Sequence, residues 1–107
     1  MTLSSLFLLR PAQTASFTTI GLTNQVVTAS PAIYLGSQTT TLVANVHVTI
    51  TNGSGGNVIS REVYLGNQYS HTLMPNGADC PNGIYITTSV GQSSPSGMFS
   101  QVYYILK

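Results

Sequence analysis

His71, Asp79 and thirteen serines are the raw material from which a hydrolytic triad would have to be made. Such a triad needs a nucleophile, a base and an orienting acid within hydrogen-bond reach. The chain has no Gly-x-Ser-x-Gly nucleophile elbow; Gly53-Ser54-Gly55-Gly56 reads as a hairpin loop without the helix that the elbow requires. Glycosidase chemistry needs two carboxylates on one cleft. Only Glu62 and Asp79 are available, one inside a strand pattern and the other in a turn. Arg61 and Glu62 are strand neighbours and point to opposite faces. His47, His71 and Cys80 are the candidate metal ligands, and their spacing fits no zinc motif. The expectation is a protein that is not an enzyme, with no catalytic residue, no metal and no cofactor.

The elements that would position such groups come from an unusual composition. Five side chains carry charge (Arg10, Arg61, Lys107, Glu62 and Asp79), 5% of 107 residues, with a net charge of +1. About 25% is usual for a soluble domain. Thr, Ser, Asn and Gln supply 40 residues, so polarity here is neutral polarity. Nucleic acid and anionic membrane are excluded as partners, because both need a basic footprint. The apolar share of 42% is too high for a disordered tail. A single cysteine, Cys80, rules out an internal disulfide framework. The run Leu3 to Leu9 is broken by Arg10-Pro11 and lacks a preceding positive charge, so it reads as an arm or a first strand rather than a signal peptide. No apolar run approaches the ~20 residues of a membrane span.

Strands dominate the periodicity. Leu42, Ala44, Val46, Val48 and Ile50 alternate with polar or smaller residues through Thr51, which predicts a half-buried strand. Asn52 to Asn57 is a turn, and Val58 to Leu65 completes a hairpin. Gln68 to Met74, Ile84 to Val90 and Phe99 to Leu106 are further strands. Pro75-Asn76-Gly77 and Pro81-Asn82-Gly83 are turns between them, and 91–97 is a Ser-rich loop. Phe17 to Ile20, Gln25 to Thr28 and Ala32 to Leu35 are shorter candidates in the front half. The last strand has Val102, Tyr104 and Leu106 on one face and Gln101, Tyr103 and Ile105 on the other, as if both sides were covered. About eight strands with frequent turns predict an all-β fold: one antiparallel sandwich or small barrel, jelly-roll-like, essentially without helix. The expected organisation is an N-terminal arm or first strand over residues 1–15 and a sandwich domain over 16–107.

Low charge also bears on function. A free domain with few surface charges is colloidally poor and lacks the lysines that guard strand edges. Permanent assembly removes both liabilities. Six tyrosines with abundant amides and hydroxyls offer a rival use, stacking and hydrogen bonding to carbohydrate, although the chain has no Trp.

The stretch Leu42 to Tyr104 resembles small β-sandwich virion proteins of tailed bacteriophages. The resemblance is carried by Val46-His47-Val48-Thr49-Ile50-Thr51-Asn52 before a small-residue turn, Asn82-Gly83-Ile84-Tyr85-Ile86-Thr87-Thr88 before a Ser/Gly loop, and the closing Gln101-Val102-Tyr103-Tyr104. It implies a capsid decoration (cement) protein, self-associated as a homotrimer, with the major capsid protein as partner. Its place would be the outer capsid surface of the virion, after synthesis in the host cytoplasm. The alternative it implies is a receptor- or glycan-binding module of a tail fibre or other virion appendage. The expected interface residues are Leu3, Leu6, Phe7, Leu8 and Leu9 of the arm, with Phe99, Tyr103 and Ile105 of the last strand.

Overall fold

The computed structural model describes residues 11–18, 21–41, 44–65, 68–90 and 98–107. Every regular element among them is a strand: β1 Ala12–Phe17, β2 Gln25–Thr28, β3 Ala32–Thr41, β4 Ala44–Asn52, β5 Asn57–Leu65, β6 Gln68–Cys80, β7 Ile84–Val90 and β8 Met98–Leu106. They form two four-stranded antiparallel sheets, in the orders β1-β8-β3-β6 and β2-β7-β4-β5. This order is that of a jelly roll, the all-β sandwich expected from the strand count.

Alternation sets which side chains meet between the sheets. Ala32 and Tyr34 of β3, Val46, Val48 and Ile50 of β4, Ile84 and Ile86 of β7 and Val102 of β8 make the core, with Cys80 and Met98. A fully buried Ile or Val contributes about 1.5–3 kcal/mol, so these positions hold the sheets together. Towards the far end of β3 the inner face turns to hydroxyls. Ser37, Thr39, Thr41 and Ser100 are buried there, with Thr39 Oγ1 and Ser100 Oγ 2.8 Å apart.

Three strands differ from the sequence reading, and the first of them is β3, which runs on to Thr41 rather than ending at Leu35. β1 runs over Ala12–Phe17, not Phe17–Ile20; Thr18 lies outside it, and residues 19 and 20 fall outside the described residues. The expected division at 15/16 falls within this strand. β6 continues through Pro75-Asn76-Gly77, which was expected to be a turn. Four residues, Met74 to Gly77, oppose the single Leu35 of β3 there. The chain can bulge in this way because β6 is an edge strand, where proline's missing N–H costs no ladder bond. Gly77 has a positive φ of 70°, and a Cβ on it would strike Ile33. The loop 91–97 and the start of the fourth strand at Leu42-Val43 lie outside the described residues.

Candidate functional site

The chemistry-bearing side chains are dispersed. His71 lies on the outer face of the β1-β8-β3-β6 sheet, opposite Gln38 in register. His47 lies on the outer face of the other sheet, beside Ser89 and Val63. Cys80 is fully buried between the sheets, and burial pushes its thiol pKa up. The two histidines and the cysteine therefore occupy three separate surfaces. Among the described residues no three His, Cys, Asp or Glu side chains come together in a metal-binding group.

The two carboxylates are likewise engaged in structure. Asp79 pairs with Lys107 across the end of one sheet. Glu62 turns inward from β5 and accepts a hydrogen bond from the Thr72 hydroxyl of β6, while Arg61 points out to solvent. This contact bridges the two sheets along one side of the sandwich. Tyr34 donates to Ser37 Oγ at 3.0 Å nearby, and burial raises its pKa.

Surfaces therefore become the candidates, beginning with the four edges. β2 is four residues long and its register breaks between Val26 and Thr28. β5 carries Arg61 and Glu62, and its register with β4 breaks twice. β6 holds the Pro75 excursion. Shortness, charge, proline and bulges are the devices that blunt an edge. β1 has none of them. Its sequence, Ala-Gln-Thr-Ala-Ser-Phe, is uncharged, and all six residues pair with β8 in unbroken register. Pro11 stands just before it, not inside it.

The outer face of the β1-β8-β3-β6 sheet is the second candidate. Register places its side chains in three rows across the strands. Tyr69, Thr40 and Phe99 form the first row; His71, Gln38 and Gln101 the second; Leu73, Gly36 and Tyr103 the third. Tyr69 is 62% exposed, Leu73 64% and Phe99 42%. The Tyr103 hydroxyl lies 3.0 Å from Gln101 Oε1 and 3.2 Å from Gln38 Oε1, two alternative acceptors for its one proton. Gly36 is structurally required: its φ is 150°, and a Cβ would run into the Thr72 carbonyl oxygen.

Of the expected interface residues, Phe99 and Tyr103 stand on this open face. Ile105 has the same outward parity but is fully buried, in the row Asp79, Ile33, Ile105, Ala12 at the end closed by Lys107. It offers no surface of its own to a neighbour. Leu3, Leu6, Phe7, Leu8 and Leu9 lie outside the described residues. The sequence reading missed the unguarded edge and the Tyr69 and Leu73 positions. Their signal is present: an uncharged six-residue stretch after Pro11, and apolar residues at alternate sites of a polar strand.

No protein-family model matches the chain, and no curated protein matches it in sequence. Its backbone is similar to a solved structure from work on Bacillus endospore appendages, described as a novel family of disulfide-linked pili. The TM-score is 0.50 at 14% identity, covering 91% of this chain and 89% of that one. At that identity the likeness speaks of fold. It nonetheless overturns the resemblance to phage virion proteins, which rested on strand and turn types that many sandwiches share and which left the front 40 residues unmatched. The capsid cement reading falls with it, together with the homotrimer on a shell, the major capsid protein as partner and the virion surface as location.

Proposed function

We propose that this chain is a non-enzymatic building block of an extracellular surface appendage, joined to copies of itself through sheet edges. The observation that carries this reading is β1, which among the described residues is an edge of uncharged, regularly paired backbone while the other three edges are blunted. An open edge of this kind presents a row of unpaired N–H and C=O groups that template another strand. Because the other edges are blunted, the partner of β1 is an extended segment of the next copy rather than one of its β2, β5 or β6 edges; such a contact is heterologous and generates rings or open filaments rather than closed pairs. The low charge suits the same use, since neutral polar faces buried between copies need no partners for stranded charges. The fold likeness to a pilus protein supports the reading.

One departure is informative. The similar pili are described as disulfide-linked, whereas this chain has one cysteine and that residue is fully buried in the core. Cys80, buried as it is, offers no disulfide to a neighbouring copy in the folded chain. The test is electron microscopy and analytical ultracentrifugation of the purified chain with and without reductant. Filaments or large oligomers that persist in reductant are expected. A monomer at high concentration in both conditions would overturn the proposal.

A further inference from the structure

The outer face of the β1-β8-β3-β6 sheet has a composition that edge-to-edge assembly does not require. Its side chains fall in stripes. Two bars, Tyr69 with Phe99 and Leu73 with Tyr103, flank a polar bar of the Gln38 and Gln101 amides and the His71 imidazole. Alternate residues along a strand are about 6.7 Å apart, so the two outer bars lie about 13 Å from one another with the amides midway. Within the first bar, Tyr69 and Phe99 sit on strands separated by β3, about 9.5 Å apart.

We infer that this face binds a neutral, ribbon-like polysaccharide of β-linked pyranose rings. Three features select that occupant. Such a sugar presents apolar C–H faces edged by hydroxyl groups, and the aromatic faces with the flanking amides present the matching alternation. The Tyr103 hydroxyl donates its one proton to Oε1 of either Gln101 or Gln38, and the Nε2 groups make no hydrogen bond among the described residues; they remain available as donors to hydroxyl oxygens. The three rows contain no Lys, Arg, Asp or Glu, so an uncharged ligand meets no permanent charge there, and an acidic polysaccharide finds neither Lys nor Arg. Gly36 leaves the centre of the third row without a side chain, and because the Thr72 carbonyl enforces that glycine, the gap between Leu73 and Tyr103 is a fixed part of the face.

The inference stands apart from the assembly proposal, which concerns the β1 edge. The experiment titrates the full chain, isotopically labelled, with cellohexaose and with N-acetylchitohexaose by nuclear magnetic resonance and calorimetry. Binding of either, with shifts confined to the outward residues of β3, β6 and β8, is expected. Tyr69→Ala and Phe99→Ala should each weaken binding about ten-fold, the worth of one aromatic contact. Val63→Ala on the opposite sheet should leave it unchanged. Absence of binding to both probes at millimolar concentration overturns the inference, as does binding that survives both aromatic substitutions. Loss of self-association in Tyr69→Ala or Leu73→Ala assigns the face to a second copy instead and equally overturns it. Mapping on the wild-type chain keeps the test decisive if a variant folds poorly.

Discussion

Among the described residues β1 and β6 are the two edges of one sheet, and they are built on opposite principles. β6 is fastened from several sides. Its Thr72 hydroxyl bonds Glu62 of the facing sheet, its Asp79 pairs with Lys107, its Cys80 enters the core, and Pro75 and Gly77 bend it out of register. Among the described residues β1 pairs with β8 alone. Its side chains alternate between exposed and half-buried, none of them charged. The contrast separates two tasks that edge strands perform. One closes the subunit and discourages further pairing, and the other leaves backbone free for a strand from elsewhere.

The comparison breaks most visibly at Gly36, where β3 meets β6. Gly36→Ala should cost about 3 kcal/mol in denaturant unfolding, because the new Cβ and the Thr72 carbonyl cannot share the space and the φ suits only glycine. A loss below 0.5 kcal/mol, on the scale of ordinary surface changes, would mean that the two strands are not locked as described. Thr72→Val should cost about 1 kcal/mol by removing the donor to Glu62. Its effect should show as faster hydrogen exchange along β6, with β1 unchanged.

Alkaline pH sharpens the same contrast. Burial raises the pKa of Tyr34 and of Cys80 in the folded chain, so both are held neutral there while the unfolded chain ionises first. Their contribution to stability is complete below the unfolded values, about 8.5 for the thiol and about 10 for the phenol. It is lost as pH rises through the higher folded values. Tyr34→Phe should flatten the fall in unfolding free energy above pH ~10. An unchanged slope would show that Tyr34 does not drive it. The smallest effect on folding belongs to β1. Thr14→Lys with Ser16→Lys, both on exposed sites, should shift stability by no more than about 0.5 kcal/mol. The same pair should abolish self-association in ultracentrifugation, since lysines guard edges. Assembly that ignores both lysines would remove β1 from the joint.

Much of this was legible in the sequence. The alternation of Val46, Val48 and Ile50, and of Ile84 and Ile86, gives strand and inner face together, because period two against water leaves little choice. What stayed hidden was polar burial. Gly36 to Thr41 has no apolar alternation to mark it as a strand, yet it extends β3, and Ser37, Thr39 and Thr41 are enclosed between the sheets. Hydroxyl groups can go inside when they find one another, as Thr39 and Ser100 do across 61 residues of sequence. No local pattern announces a partner that distant. Pro75-Asn76-Gly77 misled for the converse reason: its turn chemistry is real, but the pairing on either side of it converts a turn into an excursion of one strand. The candidate surfaces were the least legible part. An edge is defined by which strand is absent beside it, and only the strand order reveals that.

Cys80 gives the molecule an internal clock. A thiol with no exposed surface reacts with an aromatic disulfide reagent only during the moments when the fold opens around it. Because Cys80 ends β6 and is the chain's one cysteine, the rate of colour development counts openings of that corner without any label being introduced. In a filament the same rate would record how far neighbouring copies slow the breathing of each subunit, so one spectrophotometric trace would turn assembly into a measurable retardation of local unfolding.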